Sequence, residues 1–128
     1  MKHHVLVVDD EADVRAAIRL QLRDTRLDIL EAGNFQQAVD LLRDNAISID
    51  VIICDVRMPG TSGVEAVEVF QREFPNTPVV VLTGFPDVAL AVDFMKKKGV
   101  VDYLIKPVEK GKLIAVVERA AQERRLFG

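Results

Sequence analysis

A single cysteine, Cys54, rules out a disulfide framework and any metal centre built from several thiolates. It lies inside an apolar run, which suits a reducing compartment. No apolar run approaches the roughly 18 residues needed to cross a bilayer. Met1-Lys2-His3-His4 leads into a short apolar run that ends in acids, which is not the layout of a signal peptide. A cytoplasmic protein without membrane contact is the expectation. There is no basic excess either. Lys and Arg number 17 against 20 Asp and Glu, and the net charge is -3. A broad nucleic-acid footprint needs a basic stripe to displace counterions, so direct nucleic-acid binding is not expected. Internal repeats, low-complexity segments and an interdomain linker are also missing. The 128 residues, 49% hydrophobic and 29% charged, read as one domain spanning 1–128. That length buries roughly two-thirds of its unfolded surface in one core.

The chain is organised around Asp50 to Gly63. Val51-Ile52-Ile53-Cys54 is a short β-branched run that ends in one carboxylate, Asp55, and Pro59-Gly60 then breaks the chain. Such a run reads as a buried strand delivering a charge to the mouth of a sheet. Four more runs behave alike: His4–Val8, with His3 and His4 at its start, Leu27–Ala32, Val79–Leu82 and Val100–Ile105. Between them lie amphipathic helices. Ala12–Asp24 carries Val14, Ala17, Ile18 and Leu22 on one face. Phe35–Asp44, capped by Asn34, presents Ala38, Leu41 and Leu42. A third helix opens at Ser62 or Gly63 with Val64, Val67 and Phe70 inward. A fourth runs from Pro86 or Asp87 to about Lys98, where Gly99 stops it. The last starts at Glu109 and is amphipathic through Leu113, Ile114, Val117 and Ala121. Strict alternation of strand and helix predicts an α/β domain with a parallel sheet, helices on both faces and right-handed crossovers. Functional groups then gather at the carboxyl ends of the strands.

Asp9, Asp10 and Glu11 follow strand one, Asp55 follows strand three, Thr83 strand four and Lys106 strand five. Parallel strands bring all of them to one edge. Clustered carboxylates raise one another's pKa, and one lysine does not offset them all. A divalent cation would, and an all-oxygen site suits Mg²⁺ or Mn²⁺ rather than zinc. Each feature has a plainer reading: paired acids open helices, a strand-end Thr caps turns, and Lys-Pro is common in loops. The weight lies in complementary groups at successive strand ends of one sheet.

Val7-Val8-Asp9-Asp10-Glu11, Asp55-Val56-Arg57-Met58-Pro59-Gly60, Val81-Leu82-Thr83-Gly84 and Asp102-Tyr103-Leu104-Ile105-Lys106-Pro107 together resemble the receiver domain of two-component response regulators. The resemblance covers essentially the whole chain. It implies the flavodoxin-like doubly wound fold: five parallel strands in the order 2-1-3-4-5, with five helices. It also implies Asp55 as phosphoacceptor. The metal ligands would be Asp10, Asp55 and the Arg57 backbone carbonyl, with Asp9 acting through water. Thr83 would be the switch hydroxyl, Lys106 the phosphate-pairing cation, Tyr103 the aromatic switch and Lys106-Pro107 a cis peptide. Arg57 and Phe85 overhang the site and would tune dephosphorylation. A sensor histidine kinase is the implied phosphodonor. Phosphorylation would switch the surface formed by the fourth helix, fifth strand and fifth helix, and a homodimer would form there.

The chain departs from the family pattern between Met95 and Asp102, where Lys96-Lys97-Lys98-Gly99-Val100-Val101 is one residue longer. That bears on where the fourth helix ends. The lysines read as a solvated helix end favoured by its dipole. A haloacid dehalogenase-like phosphatase also uses a strand-end Asp, but needs a second acid where Arg57 stands. A flavin or nucleotide site needs a Gly/Ser/Thr-rich cradle after strand one, where Asp9-Asp10-Glu11 would repel phosphate. A receiver-like interaction module that is never phosphorylated is the remaining alternative. Thr83-Gly84, Asp87, Ala91-Val92 and Met95-Lys96 look most like receivers of transcriptional activators. The expectation is a receiver cut from a longer regulator.

Overall fold

The computed structural model describes residues 3–23, 25–44, 48–58, 61–84, 87–97 and 99–127, with backbone alone at 57–58, 61–62 and 124–127. The five long strands are β1 (His3–Val8), β2 (Leu27–Ala32), β3 (Val51–Asp55), β4 (Val79–Thr83) and β5 (Val100–Ile105). They form one parallel sheet in the order β2-β1-β3-β4-β5. Between them and after β5 run α1 (Ala12–Gln21), α2 (Phe35–Arg43), α3 (Gly63–Glu73), α4 (Val88–Lys96) and α5 (Lys110–Phe127). This is the flavodoxin-like doubly wound architecture. Arg57–Met58 and Thr61–Ser62 form a short antiparallel ladder between β3 and α3.

Both faces of the sheet are covered, so its strands are apolar on both sides. Leu6, Val8, Ile52, Cys54, Val79 and Val81 point to one face, where they meet Ala38 and Val39 of α2, Ala66, Val67 and Phe70 of α3, and Phe94 of α4. Val5, Val7, Val51, Ile53, Val80 and Leu82 point to the other, against Ile18 of α1 and Leu113, Val116, Val117, Ala120 and Ala121 of α5. Each fully buried Leu, Ile or Phe contributes about 2 kcal/mol by leaving water. The inward face of α2 centres on Ala38 and Val39, with Leu41 and Leu42 only partly buried beside them.

Several boundaries differ from those read off the sequence. Asp55 and Thr83 are the last residues of their strands, not the first beyond them, and they pair with Leu82 and Ile105. The ladder extends as far as its hydrogen bonds run, whatever the polarity of the side chain. α1 ends at Gln21, because the Thr25 hydroxyl and amide both donate to the Leu22 carbonyl (2.5 and 3.3 Å) and turn the chain. Asp24 lies outside the described residues. At the start of α4, Asp87 caps the Leu90 amide at 3.0 Å, while Pro86 lies outside the described residues, as does Lys98 at the far end. α4 itself stops at Lys96. Lys97 Nζ there reaches Glu68 Oε1 on α3 at 3.4 Å, and Gly99 takes φ +92°, which only glycine adopts without strain.

The entry to β5 is irregular. Val79 pairs with Val100 but Val80 with Asp102, a β-bulge that leaves Val101 outside the one-to-one register. A bulge reverses the in-out parity beyond it. Val100 and Tyr103 therefore share one core, while Val101 and Leu104 share the other.

Gly63 fixes how the chain leaves β3. Its amide donates to the Val56 carbonyl at 2.9 Å. A Cβ there would overlap the Val56 Cα and lie 2.5 Å from its carbonyl oxygen. Gly63→Ala is accordingly expected to lower stability by about 1–3 kcal/mol through forced displacement of the segment after Asp55. Urea denaturation checks this, and an unchanged midpoint would contradict the packing described.

Candidate functional site

The carboxyl ends of β1, β3, β4 and β5 bring Asp9, Asp10, Asp55, Thr83 and Lys106 to one edge. Asp9 and Asp55 are 1% and 6% exposed and Thr83 is fully buried, whereas Asp10 faces solvent. One carboxylate oxygen from each of Asp9, Asp10 and Asp55 lies within 4.8 Å of the others. Lys106 crosses from β5 and donates to Asp9 Oδ2 at 2.9 Å and to Asp55 Oδ2 at 3.2 Å. Its amide donates to the Thr83 carbonyl at 2.7 Å, which ties the end of β5 to that of β4. The Lys106–Pro107 peptide is cis.

Burial opposes the charge on Lys106, but its hydrogen bond to Asp9 and the fields of Asp55 and Asp9 outweigh it. The ammonium is held above its ordinary pKa. Asp9 Oδ1 accepts from the Glu11 amide at 2.9 Å, so this carboxylate also fixes the turn that leads into α1. Cys54 is fully buried, and burial followed by the charges of Asp55 and Asp9 pushes its thiol far up. It is inert as a nucleophile. An oxygen-only set of three carboxylates with a single lysine is a fitting shell for a hard divalent cation such as Mg²⁺.

Tyr103 lies on the α4 side of the sheet. Its ring stacks on Phe94 at 6.1 Å between centroids, and its hydroxyl is buried without a hydrogen-bond partner among the described residues. His3 and His4 sit at the opposite end of β1, near Asp50 and Asp28, far from these groups. The side chain of Arg57 lies outside the described residues, as do Phe85, Pro59 and Gly60.

Two residues passed over in the sequence touch this edge. Arg15 Nη1 donates to the Asp9 carbonyl at 2.6 Å, and Gln21 Nε2 to the Val108 carbonyl at 3.2 Å, just after the cis peptide. The only hint of Arg15 was a cation early in a helix, where the dipole favours acids. Gln21 gave none, since its partner is distant in sequence.

The family model of the response regulator receiver domain matches residues 5–118. The chain is 33% identical over 123 residues to Response regulator protein PilR of Pseudomonas aeruginosa, covering 96% of this chain and 27% of PilR. It is 34% identical over 122 residues to Transcriptional regulatory protein FixJ of Bradyrhizobium diazoefficiens, covering 95% of this chain and 58% of FixJ. It therefore spans less than two-thirds of either relative. Among solved structures, a response regulator receiver domain protein from Clostridium thermocellum matches with a TM-score of 0.88 at 30% identity, covering 98% of this chain and 99% of that one.

A lysine whose folded-state pKa is raised contributes its stability in full below about pH 10.4, and that contribution is lost as pH rises through the folded value. Lys106→Met leaves two buried carboxylates without their ammonium. It is expected to cost about 2–3 kcal/mol at neutral pH, less than a fully buried pair loses, because the lysine is partly exposed. The gap from wild type should narrow above about pH 10.4. Urea titrations between neutral and alkaline pH measure it, and a gap independent of pH would refute the assignment.

Proposed function

This chain belongs to the response regulator receiver domain family, a family of phosphoacceptor signalling domains, and we propose that Asp55 is its phosphoacceptor within a single receiver domain spanning 1–128. The observation that carries this is the Lys106 ammonium shared between Asp9 and Asp55 at the carboxyl edge of the sheet. Asp10, Asp55, the Arg57 carbonyl and Asp9 through water would hold Mg²⁺ or Mn²⁺. Once bound, that ion supplies positive charge to the phosphoryl oxygens.

A carboxylate oxygen of Asp55 attacks phosphorus in line as the bond to the donor breaks. The donor keeps that electron pair and Asp55 becomes an acyl phosphate. The donor is the phosphohistidine of a sensor histidine kinase. Lys106 neutralises an oxygen of the transferring group, which is where such reactions gain their rate. The domain acts only on itself in this step and in the later attack of water. Arg57 and Phe85 tune that second reaction.

The new negative charge is the signal. Thr83 moves onto the phosphoryl oxygen, and Tyr103 answers by changing its packing on Phe94. The readout surface is α4, β5 and α5. Val88, Val92, Met95 and Ile105 are exposed there at 81%, 48%, 48% and 50%, more apolar surface than a helix with no partner usually carries. A homodimer through this face is the proposed output, in the cytoplasm, without direct nucleic-acid binding by this domain. No helix among the described residues is long and apolar enough to cross a membrane.

The phosphatase alternative finds no support in the relatives. Incubation with acetyl phosphate and Mg²⁺ should add one phosphoryl mass to the wild type and none to Asp55→Asn. No addition to the wild type would favour the unphosphorylated interaction module instead. With a stable phosphate mimic, sedimentation should show a rise toward dimer mass that Val92→Glu abolishes; an unchanged mass would remove the dimer from the proposal.

A further inference from the structure

We infer that Arg15 is a positioning residue for the site: held by Glu31 on the edge strand, it pins the peptide between Asp9 and Asp10 and so sets the direction of the acidic pair. This rests on the metal-dependent reading above. Arg15 is the fourth residue of α1, which begins at Ala12, so its charge opposes the positive end of the helix dipole. Its contacts offset that placement. Nη1 donates to the Asp9 carbonyl at 2.6 Å and Nε to Glu31 Oε1 at 3.1 Å. The other Glu31 oxygen accepts from Arg19 Nε at 3.1 Å and Arg19 Nη2 at 2.7 Å. The hydrogen bond from Arg19 holds the Glu31 carboxyl below its ordinary range; burial opposes it, and the bond from Arg15 adds to the lowering. Glu31 is thus an anion at neutral pH, fixed by two guanidinium groups.

Every polar group of Asp9 is engaged. Its amide donates to the Ala32 carbonyl at 3.1 Å, Oδ1 accepts from the Glu11 amide at 2.9 Å, and Oδ2 accepts from Lys106 at 2.9 Å. The Arg15 bond completes the set. The carbonyl it holds belongs to the peptide that leads into Asp10, the solvent-facing member of the pair. Arg19 reaches Glu31 and the Ile29 carbonyl instead.

The test is Mg²⁺ titration by calorimetry on the unphosphorylated full chain, with amide hydrogen exchange at Asp9 and Glu11 as a readout that needs no metal. Arg15→Met is expected to weaken Mg²⁺ binding roughly tenfold, the low end for a group that supports a ligand from behind, and to speed exchange at both amides. Glu31→Gln should reproduce part of both effects and add little in the double variant. Arg19→Met, which loses at least as many bonds to Glu31, should leave Mg²⁺ affinity unchanged. Arg15→Met with unaltered affinity and exchange, or Arg19→Met weakening Mg²⁺ equally, would overturn the inference. Should Arg15→Met not fold, Glu31→Gln carries the same expectation. A wild type that does not bind Mg²⁺ would instead sink the metal reading, and the exchange rates alone would decide the role of Arg15.

Discussion

One ammonium shared by two buried carboxylates is the constraint on which the rest depends. Asp9 and Asp55 are almost withdrawn from water, and burying a charge there is costly without a partner. Lys106 reaches both at hydrogen-bond distance. At an effective dielectric near 20 each contact is worth a few kcal/mol, comparable with the cost of desolvating the three groups. The balance is close. Asp10, whose carboxylate oxygen shares the cluster, tips it toward excess negative charge. A site in this condition has affinity for further positive charge, and any new anion at Asp55 must redistribute what positive charge there is. The proposed metal dependence and the proposed response to phosphorylation would thus be two results of one imbalance.

That contact exists only because the sheet is parallel and registered. Asp9 lies one residue past β1, Lys106 one residue past β5, and Asp55 ends β3 between them. A slip of one residue in any of these strands would turn the functional side chain to the opposite face. Apolar residues on both sides of β1, β3 and β4 prevent such slips, since either core would lose its packing. β5 is the informative exception. Its bulge at Val100–Asp102 takes up one residue at the far end of the strand, and the register from Asp102 to Ile105 then delivers Lys106 correctly. The irregularity is confined to the entry of the strand, away from the lysine.

Much of this was legible in the sequence, for a definite reason. Short apolar runs that end in polar residues report strand ends directly, so Asp9, Asp55, Thr83 and Lys106 could be named as neighbours from alternation alone. Less legible was whatever depends on hydrogen-bond partners far along the chain. The early end of α1 follows from the Thr25 hydroxyl on Leu22, and the end of α4 from the turn at Gly99 with Lys97 drawn to Glu68. Local periodicity carries neither signal. The bulge gave no sign in the sequence, because Val100 and Val101 are both apolar and suit either core. Arg15 was hidden for the opposite reason. Its helical position is ordinary for an amphipathic surface, and its meaning comes from Glu31, which joins it only when β2 pairs with β1.

In the proposed mechanism the step from site to surface runs through Tyr103. Its ring is held between the sheet and α4 by Phe94, yet its hydroxyl is buried and has no partner among the described residues. Leaving such a group unpaired costs about 1–3 kcal/mol, against which the ring gains apolar burial and stacking. Two terms of similar size and opposite sign make a side chain whose position is decided by small changes nearby. The proposed switch at Thr83 would supply such a change: Thr83 ends β4, accepts from the Lys106 amide through its carbonyl, and pairs across to β5. A shift of about 1–3 kcal/mol moves a two-state population by one to two orders of magnitude. The same α4 carries Val88, Val92 and Met95 outward, so the helix whose inner face holds the balance is also the helix whose outer face would be read.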